Sequence, residues 1–143
     1  MTEVAFHFNV PDRIEYACRL LRKAVRKGAR VTVGGPPADL ARLDRALWTF
    51  DPLEFVPHVM PRPGEELAPR LRTTPVWLVA DLARAGHHDV LVNLFDEPPP
   101  GFESFARVIE IVSADEHDRQ AARQRWKHYA ARGYAIEKHE VGA

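Results

Sequence analysis

Short apolar runs with almost no polar alternation recur along the chain and constrain its fold more than any other feature. Runs of this length are typical of strands covered on both faces, as in a parallel sheet with helices on either side. We therefore expect each run to form a strand of one sheet. The runs are Val4–Phe8, Arg30–Val33, Pro75–Val79, Asp89–Leu94 and Arg107–Val112, with a shorter closing run at Tyr134–Lys138.

Helical segments lie between these runs. Asp12 followed by Glu15 has the form of a capping box, and apolar residues then recur at the helical period up to a stop at Gly28. A second amphipathic helix is predicted over Ala38–Trp48, and the longest helix over Asp115–Arg132. A strand, a helix and a strand in this order favour a parallel pair with a right-handed crossover.

The order of strands and helices predicts a single-domain three-layer α/β/α sandwich with a mainly parallel, Rossmann-like sheet. A chain of 143 residues suits one domain, 1–143, and we expect a short flexible C-terminal tail at 139–143. The segment Asp51–Ala68 is rich in proline and acidic residues, so it is predicted to be a long loop without a regular element. Loops of that length inside a compact domain are usually functional.

Charge is distributed unevenly, although the formal net charge is zero. The net charge is −6 over residues 61–118 and +4 over residues 119–143. A protein that grips duplex DNA usually has a net positive domain, so this class is disfavoured. No apolar run is long enough to span a membrane, and the N-terminus lacks the pattern of a signal peptide. We therefore expect a cytoplasmic protein.

Catalytic and cofactor sites find little support in the sequence. The junction Gly34–Pro37 suggests a phosphate-binding turn, but its two prolines remove backbone N–H donors and no Gly-Lys-Ser/Thr sequence follows. Ser104 and Ser113 lie outside any G-x-S-x-G turn, and Cys18 lies on an apolar helical stripe where an inert thiol is expected. We therefore predict no catalytic residue, no metal and no cofactor. A nucleotide-binding α/β enzyme remains the alternative.

Two large aromatic residues, Trp48 and Phe55, lie at a helix end and in the loop that follows it. Exposed aromatic residues are common anchors of protein interfaces. The alternative, which the sequence favours equally, is that both rings cover the edge of the core. This pair is the first candidate interaction surface.

The C-terminal helix contains cations and an indole at helical spacing. Steps of three and four residues place Arg119, Arg123, Trp126 and Lys127 on one face. Part of this charge suits the negative end of the helix dipole and needs no ligand. An arginine beside an aromatic wall also suits the terminal carboxylate and the apolar last side chain of a peptide. This face therefore favours binding of an acidic peptide over catalysis.

Several sequence blocks are specific when they are taken together and in order. They contain an LD-x-x-LW sequence, an F-x-PH sequence and an AR-x-R-aromatic-K-x-Y sequence. The blocks are Leu43–Phe50, Phe55–His58, Asp89–Leu94, Phe105–Val112 and Ala122–Tyr129, followed by Gly133–Tyr134. From Ala5 to about Lys138, the chain resembles the chi subunit family of bacterial DNA polymerase III holoenzyme.

The resemblance implies a noncatalytic accessory subunit of the clamp-loader complex in DNA replication, which contacts DNA mainly indirectly. Members of this family bind the acidic, phenylalanine-ending tail of the single-stranded DNA-binding protein. They also bind the psi subunit, which tethers chi to the clamp loader, and some members bind a repair helicase. By position, Trp48 and Phe55 would belong to the surface for psi or the helicase.

The resemblance also implies roles for the residues that would hold the tail. Arg123 would bind the terminal carboxylate, and Val112 and Trp126 would form the apolar wall. Arg119 and Lys127 would face the acidic residues that precede the terminus. These five residues form the expected tail site.

Overall fold

The computed structural model of the protein describes residues 2–141 as alternating strands and helices. Three short 3₁₀ turns lie in the connections, at Pro69–Leu71, Leu82–Arg84 and Phe102–Ser104. The strands are β1 (Glu3–Val10), β2 (Val31–Gly34), β3 (His58–Val59), β4 (Val76–Val79), β5 (Val90–Asn93), β6 (Arg107–Ser113) and β7 (Ile136–Glu140). The helices are α1 (Arg13–Arg26), α2 (Pro37–Thr49) and α3 (Glu116–Ala131).

All seven strands belong to one sheet in the order β3-β4-β2-β5-β6-β1-β7, and every neighbouring pair is parallel. The predicted fold class is therefore confirmed, with a sheet that is parallel throughout the described residues. The strands β3 and β7 form its two edges.

Alternating side chains of each strand enter two separate cores. On β4, Val76 and Leu78 pack with α1 and α2, whereas Trp77 and Val79 face the layer that contains α3. Since successive side chains of a strand point to opposite faces, a run that is apolar at every position must be covered on both. This explains why the apolar runs of the sequence predict the three layers.

The helix ends follow the sequence signals. The Asp12 carboxylate accepts hydrogen bonds from the backbone N–H of Ile14 and Glu15, at 3.0 and 3.1 Å. The Asp115 side chain accepts a hydrogen bond from Asp118 N–H in the same way at the start of α3. Gly133, with φ of 79°, lies in the left-handed region just after α3, where a glycine is favoured.

Two expectations were wrong in part. The predicted loop Asp51–Ala68 contains the short strand β3, which pairs with the apolar strand β4 and so needs little apolar sequence of its own. The predicted flexible tail began too early, because His139 and Glu140 extend β7 along β1. Val141 N–H donates to Phe8 O at 3.0 Å, and residues 142–143 lie outside the described residues.

Candidate functional site

The five residues of the expected tail site meet around one groove, which we call the α3–β7 groove. It encloses about 490 Å³ between α3 and the β1–β7 edge of the sheet. Cationic side chains form its rim, and apolar side chains form its floor. Its principal lining residues are Val112, Arg119, Arg123, Trp126 and Lys127, together with Phe6, Phe8, Lys138 and Glu140.

The floor of the groove is apolar and aromatic. The ring of Trp126 packs against the buried ring of Phe6, with centroids 5.1 Å apart, and remains partly exposed on its other side. Val112 is buried beside them, and Phe8 is partly exposed. The groove therefore offers a solvent-accessible aromatic surface against which an apolar side chain of a ligand can pack.

Cationic side chains flank this floor on two sides. Arg123 is 56% exposed, and its Nη1 atom lies 3.4 Å from Glu116 Oε1 in a weak, solvated ion pair. On the other side of the groove, Lys138 Nζ lies 6.0 Å from the centre of the Trp126 ring. The guanidinium of Arg123 is thus accessible to a second carboxylate beside the aromatic wall.

A bulge in β1 separates Phe8, which lines the groove, from Val10. Asn9 has φ of 62°, and the pairing with β6 shifts register between His7 and Val10. The additional residue turns Val10 into the α1–α2 core, while Phe6 and Phe8 remain on the α3 side. The apolar run Val4–Phe8 predicts the strand β1, but it does not predict that Val10 faces the opposite side of the sheet.

A titratable group beside the bulge makes stability depend on pH. Burial, assisted by His139 and Arg107, lowers the pKa of His7 to about 4, and the Tyr16 hydroxyl is hydrogen-bonded to its Nδ1. As pH falls from 6.5 towards 4, the unfolded chain takes up a proton that the native chain does not. We expect a loss of about 1 to 2 kcal/mol of unfolding free energy, since the half-exposed imidazole is partly screened.

The measurement is chemical denaturation at pH 7 and pH 4.5, for the wild type and for His7→Gln. Glutamine can still accept the Tyr16 hydrogen bond but does not titrate. The difference in stability between the two pH values should be smaller in the variant. An identical difference in both proteins would show that His7 does not contribute.

A buried ionic network fixes α3 on the sheet. Arg125 Nε donates to Glu110 Oε1 at 2.8 Å, and the Tyr129 hydroxyl donates to Oε2 at 2.7 Å. Asn93 Nδ2 donates to the same carboxylate at 3.0 Å, and all four residues are buried. Burial, with the Glu110 charge beside it, raises the pKa of Tyr129, so the phenol stays protonated. With Arg125 held inward, the neighbouring Trp126 faces the groove.

Trp48 and Phe55 form a separate surface at the β3 edge of the sheet. Their rings lie 4.9 Å apart and are 61% and 51% exposed. Leu53 between them is 95% exposed, and His58 packs its ring against Trp48 at 5.2 Å. We call Trp48, Leu53 and Phe55 the Trp48 surface. It brings together the three most exposed large apolar side chains of the described residues, in a fold that buries most of the others in two cores.

Ion pairs from α1 hold the loop of this surface in place. Arg22 Nη1 lies 3.0 Å from Asp51 Oδ2, and Arg26 Nε donates to Glu54 Oε1 at 2.7 Å. The Arg26 guanidinium lowers the pKa of Glu54, and Arg22 also lies 5.0 Å from the centre of the Phe50 ring. The loop that contains Leu53 and Phe55 is therefore anchored to α1.

The glycine pair after β2 packs against side chains rather than forming a phosphate cradle. A Cβ atom at Gly34 would lie 2.8 Å from Leu82 Cδ2, and one at Gly35 would lie 2.9 Å from Leu94 Cβ. The cavity next to this junction encloses about 460 Å³ and is lined by three carboxylates, Asp81, Asp96 and Glu97. Acidic side chains repel phosphate, so this end of the sheet does not favour the nucleotide alternative.

Metal and thiol chemistry gain no support from the geometry. Within residues 2–141, no three His, Cys, Asp or Glu side chains are close enough to hold a metal ion together. Cys18 is buried in the α1 core, and burial raises the pKa of its thiol to about 11. In the same part of the chain, every helix is too short or too polar to cross a bilayer.

The α3 residues predicted to share one helix face all line this groove, but sequence reasoning missed the opposite wall. Phe6 and Phe8 come from β1 and Lys138 from β7, strands that are separated by most of the chain. Only the pairing of β1 with β7 brings them to the groove. The apolar character of the first run was the available signal for the two phenylalanines.

Comparisons with known proteins point in one direction. The profile of the family described as DNA polymerase III chi subunit, HolC, matches residues 1–137. The DNA polymerase III subunit chi of Pseudomonas aeruginosa is 33% identical over 147 residues, which cover 99% of this chain and 98% of the relative. The subunit of the same name from Haemophilus influenzae is 31% identical over 130 residues, covering 90% and 87%. That of Escherichia coli is 29% identical over 124 residues, covering 85% and 81%.

Proposed function

Because the chain belongs to the DNA polymerase III chi subunit family, we propose that it is a noncatalytic accessory subunit of the clamp-loader complex in DNA replication. Its α3–β7 groove binds the acidic C-terminal tail of the single-stranded DNA-binding protein. Its Trp48 surface binds the psi subunit and thereby joins the tail-bound subunit to the clamp loader.

One observation supports tail binding above all others: an exposed arginine lies beside a partly exposed indole over an apolar floor. Arg123 presents a fork of N–H donors that matches a terminal carboxylate. Trp126 and Val112 give the last side chain of the tail an apolar wall, and Arg119 and Lys127 supply charge for the acidic residues before it. A polynucleotide would need a longer track of cations than this groove offers.

The positions of the two surfaces favour a bridging role. The Trp48 surface lies at the β3 edge, and the α3–β7 groove lies at the β7 edge of the same sheet. Seven strands at about 4.8 Å spacing place the two edges about 29 Å apart. A partner on one surface therefore leaves the other accessible.

A weak tail contact is sufficient for this role. A dissociation constant of about 1 μM corresponds to about −8 kcal/mol, which one buried ring, one forked ion pair and screened acidic contacts can supply. A partner that displays several tails raises occupancy further through multivalency.

Fluorescence anisotropy tests the proposal with a labelled acidic peptide that ends in phenylalanine. We expect a dissociation constant in the micromolar range that weakens with salt, because part of the attraction is between exposed charges. A labelled oligothymidylate serves as the second probe and should bind far more weakly. Tighter binding of the oligonucleotide than of the peptide would contradict the proposal.

For the second surface, we expect Trp48→Ala to weaken retention of the psi subunit at least about tenfold. The side chain is 61% exposed, so the loss of packing within the chain should be small and the fold should persist. Co-purification of psi with the tagged chain measures the effect. The matched control is Leu71→Ala, which removes an exposed apolar side chain elsewhere. Equal retention by both variants would rule out this surface.

A further inference from the structure

The walls of the α3–β7 groove differ in charge between its two ends. On β7, Lys138 pairs in register with Phe6, whereas Glu140 pairs with Phe8, two residues further along the strand. Two residues span about 6.6 Å of a strand. The side chains of β7 therefore present a cation at one end of the groove and an anion at the other.

The residues of α3 reinforce this difference. The helix begins beside the end of β6, where Ser113 N–H donates to Asp118 Oδ2 at 2.9 Å. Lys127 lies eight residues after Arg119, which is about 12 Å along the helix axis. Lys127 therefore lies at the same end of the groove as Trp126 and Lys138, and Arg119 lies at the end of Glu140.

The net charge follows from these positions. The end near Trp126 combines Lys127 and Lys138, without an acidic side chain among the lining residues there. At the other end, Glu140 lines the groove, and Glu116 lies within 3.4 Å of Arg123 Nη1. These two carboxylates offset the charges of Arg119 and Arg123, so the net positive charge of the groove lies at the end near Trp126.

We propose that Lys138 and Glu140 fix the direction in which the tail lies, with its acidic residues leaving the groove between Lys127 and Lys138. The inference rests on the proposed function. The terminal carboxylate lies on Arg123, the last side chain lies on the apolar floor, and the preceding carboxylates pass between the two lysines, so Lys127 and Lys138 face them more closely than Arg119 does. The opposite direction would bring them against Glu140.

Charge-neutral variants of β7 test this direction. Lys138→Gln should weaken binding of the acidic, phenylalanine-ending peptide about two- to fivefold, the range of an exposed charge pair. Glu140→Gln should tighten it by up to about twofold, because a repulsion is removed. Lys138→Arg keeps the charge and should bind as the wild type does. Both positions are exposed, so the fold should be unaffected.

A second peptide, with asparagine in place of each acidic residue and the same free terminus, isolates the charge effect. Its affinity should be the same for the wild type, Lys138→Gln and Glu140→Gln. Unchanged affinity of Lys138→Gln for the acidic peptide, or weaker binding by Glu140→Gln, would overturn the assigned direction while leaving tail binding intact. If the wild type binds neither peptide, the proposed function and this inference both fail.

Discussion

Replacing Arg125 with alanine is expected to lower the free energy of unfolding by about 3 to 5 kcal/mol. The substitution leaves the Glu110 carboxylate, which is inaccessible to solvent in the native structure, without its cation. It also removes the hydrogen bond from Arg125 Nη1 to Asp96 O, which ties α3 to the loop after β5. Urea denaturation followed by circular dichroism measures the loss.

Two further variants separate this effect from a general sensitivity of α3. Gln124→Ala changes the exposed neighbour and should alter stability by less than about 0.5 kcal/mol. Arg125→Met combined with Glu110→Gln removes both charges and keeps an acceptor for Tyr129 and Asn93, so it should recover much of the stability that Arg125→Ala loses. A loss below about 1 kcal/mol for Arg125→Ala would show that the ion pair does not hold the helix.

Arg123→Ala is expected to weaken tail binding strongly at moderate salt while leaving the fold intact. A forked contact with a carboxylate contributes about 2 kcal/mol, which corresponds to about 30-fold in affinity. The side chain is 56% exposed and its pairing with Glu116 is weak and solvated, so its removal should cost little stability. Fluorescence anisotropy with the labelled acidic peptide gives the affinity of each variant.

Arg123→Lys and Arg72→Ala are the controls for this prediction. Lysine keeps the charge but loses the fork, so an intermediate affinity is expected. Arg72 is an exposed arginine in the connection before β4, and its removal tests whether overall charge alone matters. If Arg123→Ala bound as tightly as Arg72→Ala, the carboxylate would have to bind elsewhere.

The helices and most strands could be predicted because their signals are local. Asp12 and Asp115 precede helices that they cap, and apolar runs such as Pro75–Val79 coincide with strands buried on both faces. The strand β3 was not predicted because a strand of two residues is too short to show an alternating pattern of apolar and polar residues. Its position depends on β4, a neighbour that lies many residues later in the chain.

The candidate groove was predictable only on the side that one helix supplies. Helical spacing alone places Arg123, Trp126 and Lys127 together. The position of Lys138 opposite Trp126 depends on the register of β7 against β1, which no local pattern encodes. The Lys138 side of the groove could not be predicted because it depends on the pairing of strands that are far apart in the sequence.

The buried ionic network had a signal that sequence reasoning did not use. Glu110 lies inside an apolar strand run, where an ionised carboxylate must find a partner. Arg125 and Tyr129 are four residues apart on α3, so both side chains lie on the face that turns towards the sheet. The sequence therefore contained candidate partners for Glu110, and the structure shows that Arg125 and Tyr129 both donate hydrogen bonds to it.

The affinity of the wild-type chain for one acidic, phenylalanine-ending peptide, with a free and with an amidated C-terminus, tests the central claim most directly. The amide keeps the acidic residues and the aromatic ring but removes the charge that Arg123 is placed to bind. We predict micromolar affinity for the free terminus and a loss of at least about tenfold on amidation. Equal affinity for the two peptides would contradict the account of this groove.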